Sequence, residues 1–189
     1  AALIQIPGVE RRLRMMDDLD VLVHPADVPA ASRVLAAGGF RPHLEPTSDE
    51  ELLRLMPGLH ALPFGEQGSE IDLHWHALHT NRHPALDREW WDHAVPARIL
   101  DVPALAAAPS DVLVQAIGHG ARWALDAAPR WVVDVAMLLQ AAGDTLDWDR
   151  VVDRARAARL AAVVADALEY VQDATGLAAP PSALAALRA

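Results

Sequence analysis

The spacing of apolar and polar positions changes along the chain. In the first half, short runs rich in Leu and Val predict strands at 19–23, 60–64 and 70–75, and a longer period predicts helices at 28–37 and from Ser48 to Pro57. From about residue 109 the helical period takes over and predicts helices at 111–125, 129–142, 147–158 and 160–175. We therefore predict an α+β domain over 1–104, with a small mixed β-sheet and flanking helices, followed by a helical domain over 105–189.

Turn and cap residues support these elements. The segment 65–68, Gly-Glu-Gln-Gly, separates the second and third strands and predicts a hairpin. Ser48 followed three residues later by Glu51 is typical of a capping box at a helix start. The pair Pro180 and Pro181 predicts the end of the last helical region.

Composition excludes several classes of protein. The chain has no cysteine, and its 16 basic residues are all arginine, which excludes disulfides, thiolate nucleophiles, the P-loop lysine and Schiff-base lysines. A formal net charge of -10 opposes binding along a nucleic-acid polymer, because that binding depends on phosphate neutralisation. No apolar run reaches the roughly 18 residues of a membrane span. We expect a cytoplasmic protein that contacts neither nucleic-acid polymers nor membranes.

Three aspartates in strand patterns are the main candidates for chemistry. Asp18 and Asp20 lie two residues apart, so they share one face of a strand while Leu19 and Val21 face the other. Two carboxylates at one spot suit a hard divalent cation such as Mg²⁺. Asp72 lies between apolar residues in the third predicted strand and completes a triad. The alternatives are a solvated strand start for Asp18 and Asp20 and an exposed edge-strand position for Asp72.

Three segments resemble the poorly characterised bacterial nucleotidyltransferases of the DNA polymerase β-like superfamily: RRLRMMDDLDVLV at 11–23, the helix end at 38–40, and IDLHW at 71–75. The resemblance implies transfer of a nucleoside monophosphate from a nucleoside triphosphate to a hydroxyl, with Mg²⁺ (or Mn²⁺) as cofactor. It implies that Asp18 and Asp20 bind both metal ions, that Asp72 binds one of them, and that His74 orients the substrate or Asp72.

Arg14 lies four residues before Asp18 and is a candidate to bind a triphosphate oxygen, for which a guanidinium group is well suited. A surface arginine paired with nearby acids is the alternative. Families of this type also place a glycine and a small residue upstream of the paired acids. Gly8, flanked by Pro7 and Val9, does not match that motif, and we expect the motif to precede residue 1.

Two other functions fit the sequence. His74 and His76 form an H-x-H pair, and together with Asp72 they are a candidate ligand set for a zinc-dependent hydrolase. The unmatched glycine motif also leaves open a catalytically silent, nucleotidyltransferase-like binding module. Stoichiometric zinc in the purified protein would favour the hydrolase, and the absence of triphosphate binding would favour the silent module.

Overall fold

The computed structural model describes residues 18–44, 46, 48–99, 101–121 and 130–189. Their contacts divide these residues into two compact units, 18–87 and Arg88–Ala189. The domain boundary predicted near residue 104 remains a prediction. Each unit is described by itself below.

The first unit contains a mixed four-stranded sheet with helices, as the sequence predicts. The strand order is β1-β4-β3-β2, with β1 and β4 parallel and the other two pairs antiparallel. Its described elements are β1 (Asp18–Leu22), α1 (Val28–Ala37), β2 (Arg41–Pro42), α2 (Asp49–Leu55), β3 (Ala61–Glu66), β4 (Ser69–His74) and the first turns of α3 (Pro84–Asp92).

Local chemistry explains where these elements begin and turn. The Ser48 side chain accepts a hydrogen bond from the backbone N–H of Glu51 at 3.2 Å, which caps α2 as predicted. The β3–β4 hairpin turns at Gln67 and Gly68, both with positive φ, a conformation that glycine adopts at little cost. The predicted strands and hairpin of this unit are confirmed.

The core of the first unit lies on one face of the sheet. Leu62 pairs with Leu73, and Phe64 pairs with Ile71, across β3 and β4. The buried members of this core are Val28, Leu52, Met56, Leu62, Phe64, Leu73 and Trp75. Since side chains alternate along a strand, the residues between these positions on β4 project to the opposite face.

The second unit consists of a two-stranded sheet and five helices among the residues that the structure describes. These elements are β5 (Val95–Ile99), β6 (Val102–Ala106), α4 (Pro109–Gly120), α5 (Arg130–Ala142), α6 (Trp148–Ala157), α7 (Ala161–Thr175) and α8 (Pro181–Arg188). The prediction of helices after residue 109 is confirmed, although its segment 122–125 falls outside the described residues. No described helix combines the length and apolar character needed to cross a membrane.

Prolines occupy two kinds of position in this unit. Pro96 and Pro103 lie within the paired strands β5 and β6, which no predicted strand covered. A two-stranded ribbon consists only of edge strands, where proline is tolerated. The helix predicted to end before Pro180 does so, at Thr175, but Pro181 then begins a further helix, α8, because the N–H of the first helical position has no intrahelical partner.

A buried charge cluster links α4 and α6 of the second unit. The Asp111 side chain has no exposed surface and accepts hydrogen bonds from Nε and Nη2 of Arg150 at 3.2 and 2.7 Å. Nε of Arg154 lies 3.4 Å from the other carboxylate oxygen. Burial raises the pKa of Asp111, and the two arginines oppose that effect.

Candidate metal centre

The parallel pairing of β1 and β4 brings two of the predicted carboxylates side by side. Asp20 is the register partner of Asp72, Asp18 that of Glu70, and Leu22 that of His74. All of these positions lie on the face opposite Leu73, which belongs to the core. The apolar residues of β4 thus anchor the strand, and the polar residues between them project away from the core.

Asp20, Asp72 and His74 form a compact group of possible metal ligands. One ligand atom from each lies within 4.8 Å of the other two. Oδ1 of Asp20 and Nε2 of His74 are 3.0 Å apart, with 44% of the Asp20 side chain and 9% of the His74 side chain exposed. The group therefore has a buried imidazole on one side and an accessible carboxylate on the other.

Asp18 does not belong to this group, although its charge acts on Asp72. It lies two positions along the β1–β4 register from Asp20, on the same face. Its role as a metal ligand and catalytic residue remains a prediction.

The charges of the group perturb one another. Burial raises the pKa of Asp72; the positive charge of His74 opposes this, and the negative charges of Asp20, Asp18 and Glu70 add to it. Burial alone lowers the pKa of His74, but its hydrogen bond to Asp20 and the charges of Asp20 and Asp72 outweigh burial, so the net pKa is raised. A divalent cation would relieve the repulsion between the two carboxylates.

The second nitrogen of His74 faces the backbone. Its Nδ1 lies 3.3 Å from the carbonyl oxygen of His76. Asp87, a buried residue of α3, accepts hydrogen bonds from the backbone N–H of Ala77 at 2.9 Å and from Nδ1 of His76 at 2.7 Å. One carboxylate therefore holds the segment whose carbonyl faces His74. Sequence reasoning missed Asp87, because nothing in its local pattern indicates a partner ten or eleven residues earlier.

His76 takes part in a different contact from the one predicted for it. Its ring is bonded to Asp87, and it is not in the ligand group formed by Asp20, Asp72 and His74. The rings of His60 and His79 lie close by instead, with His60 5.3 Å from His74 and 5.9 Å from His79 between centroids. The hydrolase ligand set of Asp72, His74 and His76 is thus not brought together among the described residues.

The remaining predicted site residues lie outside the described structure. Arg14 and the region of Gly8 belong to residues 1–17, which lie outside the described residues, so the triphosphate contact of Arg14 remains a prediction.

The donor set fits a divalent cation. Two carboxylates and an imidazole are established ligands of divalent metals, and three protein ligands leave positions for water or substrate oxygens. The fit rests on the 4.8 Å grouping of these atoms and on their placement on a strand pair.

A family model described as an uncharacterised nucleotidyltransferase matches residues 9–176. The chain belongs to this family. The match covers β1 and β4 with all three residues of the ligand group, and it confirms the nucleotidyltransferase resemblance seen in the sequence. Membership in the nucleotidyltransferase family indicates a transferase. None of the curated proteins searched matches the chain.

Proposed function

We propose that this nucleotidyltransferase moves a nucleoside monophosphate from a nucleoside triphosphate to an acceptor hydroxyl, using Mg²⁺ or Mn²⁺. The observation that carries the proposal is the pairing of Asp20 with Asp72 across parallel strands, with His74 beside them, on the face opposite the core. We also propose a cytoplasmic location, because a chain without cysteine suits a reducing compartment.

The reaction forms one bond and breaks one. The acceptor oxygen attacks the α-phosphorus and forms a new P–O bond, while the bond from that phosphorus to the α,β-bridging oxygen breaks and pyrophosphate leaves. When bound, the divalent ions supply charge stabilisation to the attacking and leaving oxygens. The hydroxyl proton passes to solvent or to Asp72.

The residues of the chain hold and orient the reacting groups. Asp20 and Asp72 would hold the cation, and Asp18, which lies on the same face of β1, would hold a second ion, as the family resemblance implies. Arg14 is proposed to bind the triphosphate, as its position four residues before Asp18 suggests.

Replacing Asp20 by Asn tests the proposal. D20N removes a ligand charge and leaves the side-chain shape nearly unchanged, so we expect metal-dependent pyrophosphate release to fall by a factor on the order of 10²–10⁴, with little change in folding. D27N is the matched control, because Asp27 is exposed and lies outside the ligand group. Full activity in D20N would contradict the proposal. Triphosphate binding without turnover in the unsubstituted protein would favour the silent binding module.

A further inference from the structure

We infer that His74 is a direct nitrogen ligand of the cation, and that the site therefore prefers a first-row divalent cation such as Mn²⁺ to Mg²⁺. The inference builds on the metal centre of the proposed function and names the ion class that this centre selects. It also gives His74 a different role from the substrate-orienting one implied by the family resemblance.

Both ring nitrogens of His74 face oxygen acceptors. Nδ1 lies 3.3 Å from the His76 carbonyl oxygen, and Nε2 lies 3.0 Å from Oδ1 of Asp20. A carbonyl oxygen only accepts, so Nδ1 must carry a proton to bond with it. In that tautomer Nε2 is directed at the Asp20 carboxylate, so the two groups can share either a proton or a metal ion between them.

The distance between the two donor atoms matches a shared ion. Bonds of about 2.0–2.1 Å from a divalent metal to oxygen and nitrogen place two adjacent donors of an octahedral ion about 3 Å apart. Oδ1 of Asp20 and Nε2 of His74 are 3.0 Å apart, and one ligand atom each of Asp20, Asp72 and His74 lies within 4.8 Å of the other two. The separation of Asp20 and His74 is thus that of two ligands of one ion, and Asp72 lies beside them.

The surroundings of His74 are those of a metal-bound histidine. Such a histidine nearly always donates its other ring N–H to a carbonyl or carboxylate, which sets the tautomer and the ring orientation. Here the acceptor is the His76 carbonyl. Because the peptide is planar and trans, the N–H of Ala77 points opposite to that carbonyl, and Asp87 binds the N–H at 2.9 Å.

The backbone N–H and the ring of His76 are also held in place. The backbone N–H of His76 donates to the carbonyl oxygen of His60 at 3.2 Å, and its ring is bonded to Asp87. These contacts make the position of the His76 carbonyl independent of the cation. His74 is therefore oriented before any ion binds, and 9% exposure of its side chain leaves it little freedom to turn away.

A nitrogen ligand changes which ion the site prefers. Mg²⁺ takes oxygen ligands and gives up its waters reluctantly, whereas imidazole suits first-row transition metals. Two carboxylates alone would accept Mg²⁺ readily, so the imidazole is the group that shifts the preference.

The test uses Mn²⁺ as a paramagnetic probe of the full chain. Electron–nuclear double resonance of the wild-type protein is expected to show a directly bound nitrogen, and labelling histidine with ¹⁵N is expected to convert the ¹⁴N signal to that of ¹⁵N. In H74Q an amide oxygen replaces the imidazole nitrogen, so the nitrogen signal is expected to disappear. The ratio of Mn²⁺ to Mg²⁺ affinity is expected to fall by a factor on the order of 10–100.

H93Q is the matched control, because His93 lies at an exposed position just after α3 and outside the ligand group. It should keep both the nitrogen signal and the affinity ratio. The labelled wild-type protein answers the question even where H74Q fails to fold. Mn²⁺ binding without a bound nitrogen, or an unchanged affinity ratio in a folded H74Q, would overturn the inference.

The same experiment separates this inference from the proposed function. A nitrogen signal in a protein that transfers no nucleotide supports the inference and overturns the proposed function. Nucleotide transfer without a nitrogen signal does the opposite. Failure of the wild-type protein to bind Mn²⁺ overturns both.

Discussion

Asp87 holds the segment that orients His74, and replacing it with Asn measures how much that support contributes. The Asp87 carboxylate accepts the backbone N–H of Ala77 at 2.9 Å and Nδ1 of His76 at 2.7 Å, and the residue is only 7% exposed. Asn keeps one acceptor oxygen for Ala77 but directs an NH₂ group at His76. D87N therefore loses one hydrogen bond to a charged group and retains the other contact.

The size of the effect follows from that single loss. A hydrogen bond to a charged group contributes about 1.5–3 kcal/mol, so we expect D87N to lower the free energy of unfolding of the first unit by about 2 kcal/mol. The hydrogen bond that holds the His76 ring is lost, which loosens the carbonyl that orients His74. We therefore also expect Mn²⁺ affinity to fall by a factor on the order of 10. Because the hydrogen bond from the Ala77 N–H is retained, we expect this amide to remain protected from hydrogen exchange.

Three measurements check this reasoning. Urea denaturation gives the free energy of unfolding, calorimetry gives Mn²⁺ affinity, and hydrogen exchange followed by NMR reports the Ala77 amide. D92N is the matched control on the same helix, because Asp92 is exposed. A D87N protein within about 0.5 kcal/mol of wild type and with unchanged Mn²⁺ affinity would refute the positioning role of Asp87.

Two further predictions concern pH and the buried charges of the second unit. The folded pKa of His74 is raised above 6.5, so without metal its contribution to stability is complete below pH 6.5 and is lost as pH rises through the folded pKa. A bound cation requires deprotonated ligands, so the gain in melting temperature from Mn²⁺ should widen between about pH 6 and pH 9; a constant gain would contradict this. R150M should lower the free energy of unfolding of the second unit by about 3 kcal/mol, because it leaves the buried Asp111 carboxylate with Arg154 as its one remaining ion-pair partner of the two. Chemical denaturation checks this, with the exposed R159M as control, and equal loss in both variants would count against it.

The sequence by itself determined most of the elements and the chemistry of the strand face. Two-residue alternation is local, so Asp72 and His74 share a face wherever β4 lies, and Leu19 and Val21 share the face of β1 opposite Asp18 and Asp20. Ser48 and the Gly65–Gly68 turn likewise act over a few residues. These features were predictable because each depends on neighbours in the chain.

Only the tertiary structure decided which residues meet. The register that sets Asp20 beside Asp72, and Asp18 beside Glu70, depends on the pairing of strands about 50 residues apart, which no local pattern specifies. The hydrogen bonds from His76 and Ala77 to Asp87 depend on where α3 packs. The alternation of β4 predicts a polar face bearing Asp72 and His74. The fold alone turns the His74 ring toward Asp20, and so decides that Asp20, and not His76, is its partner in the ligand group.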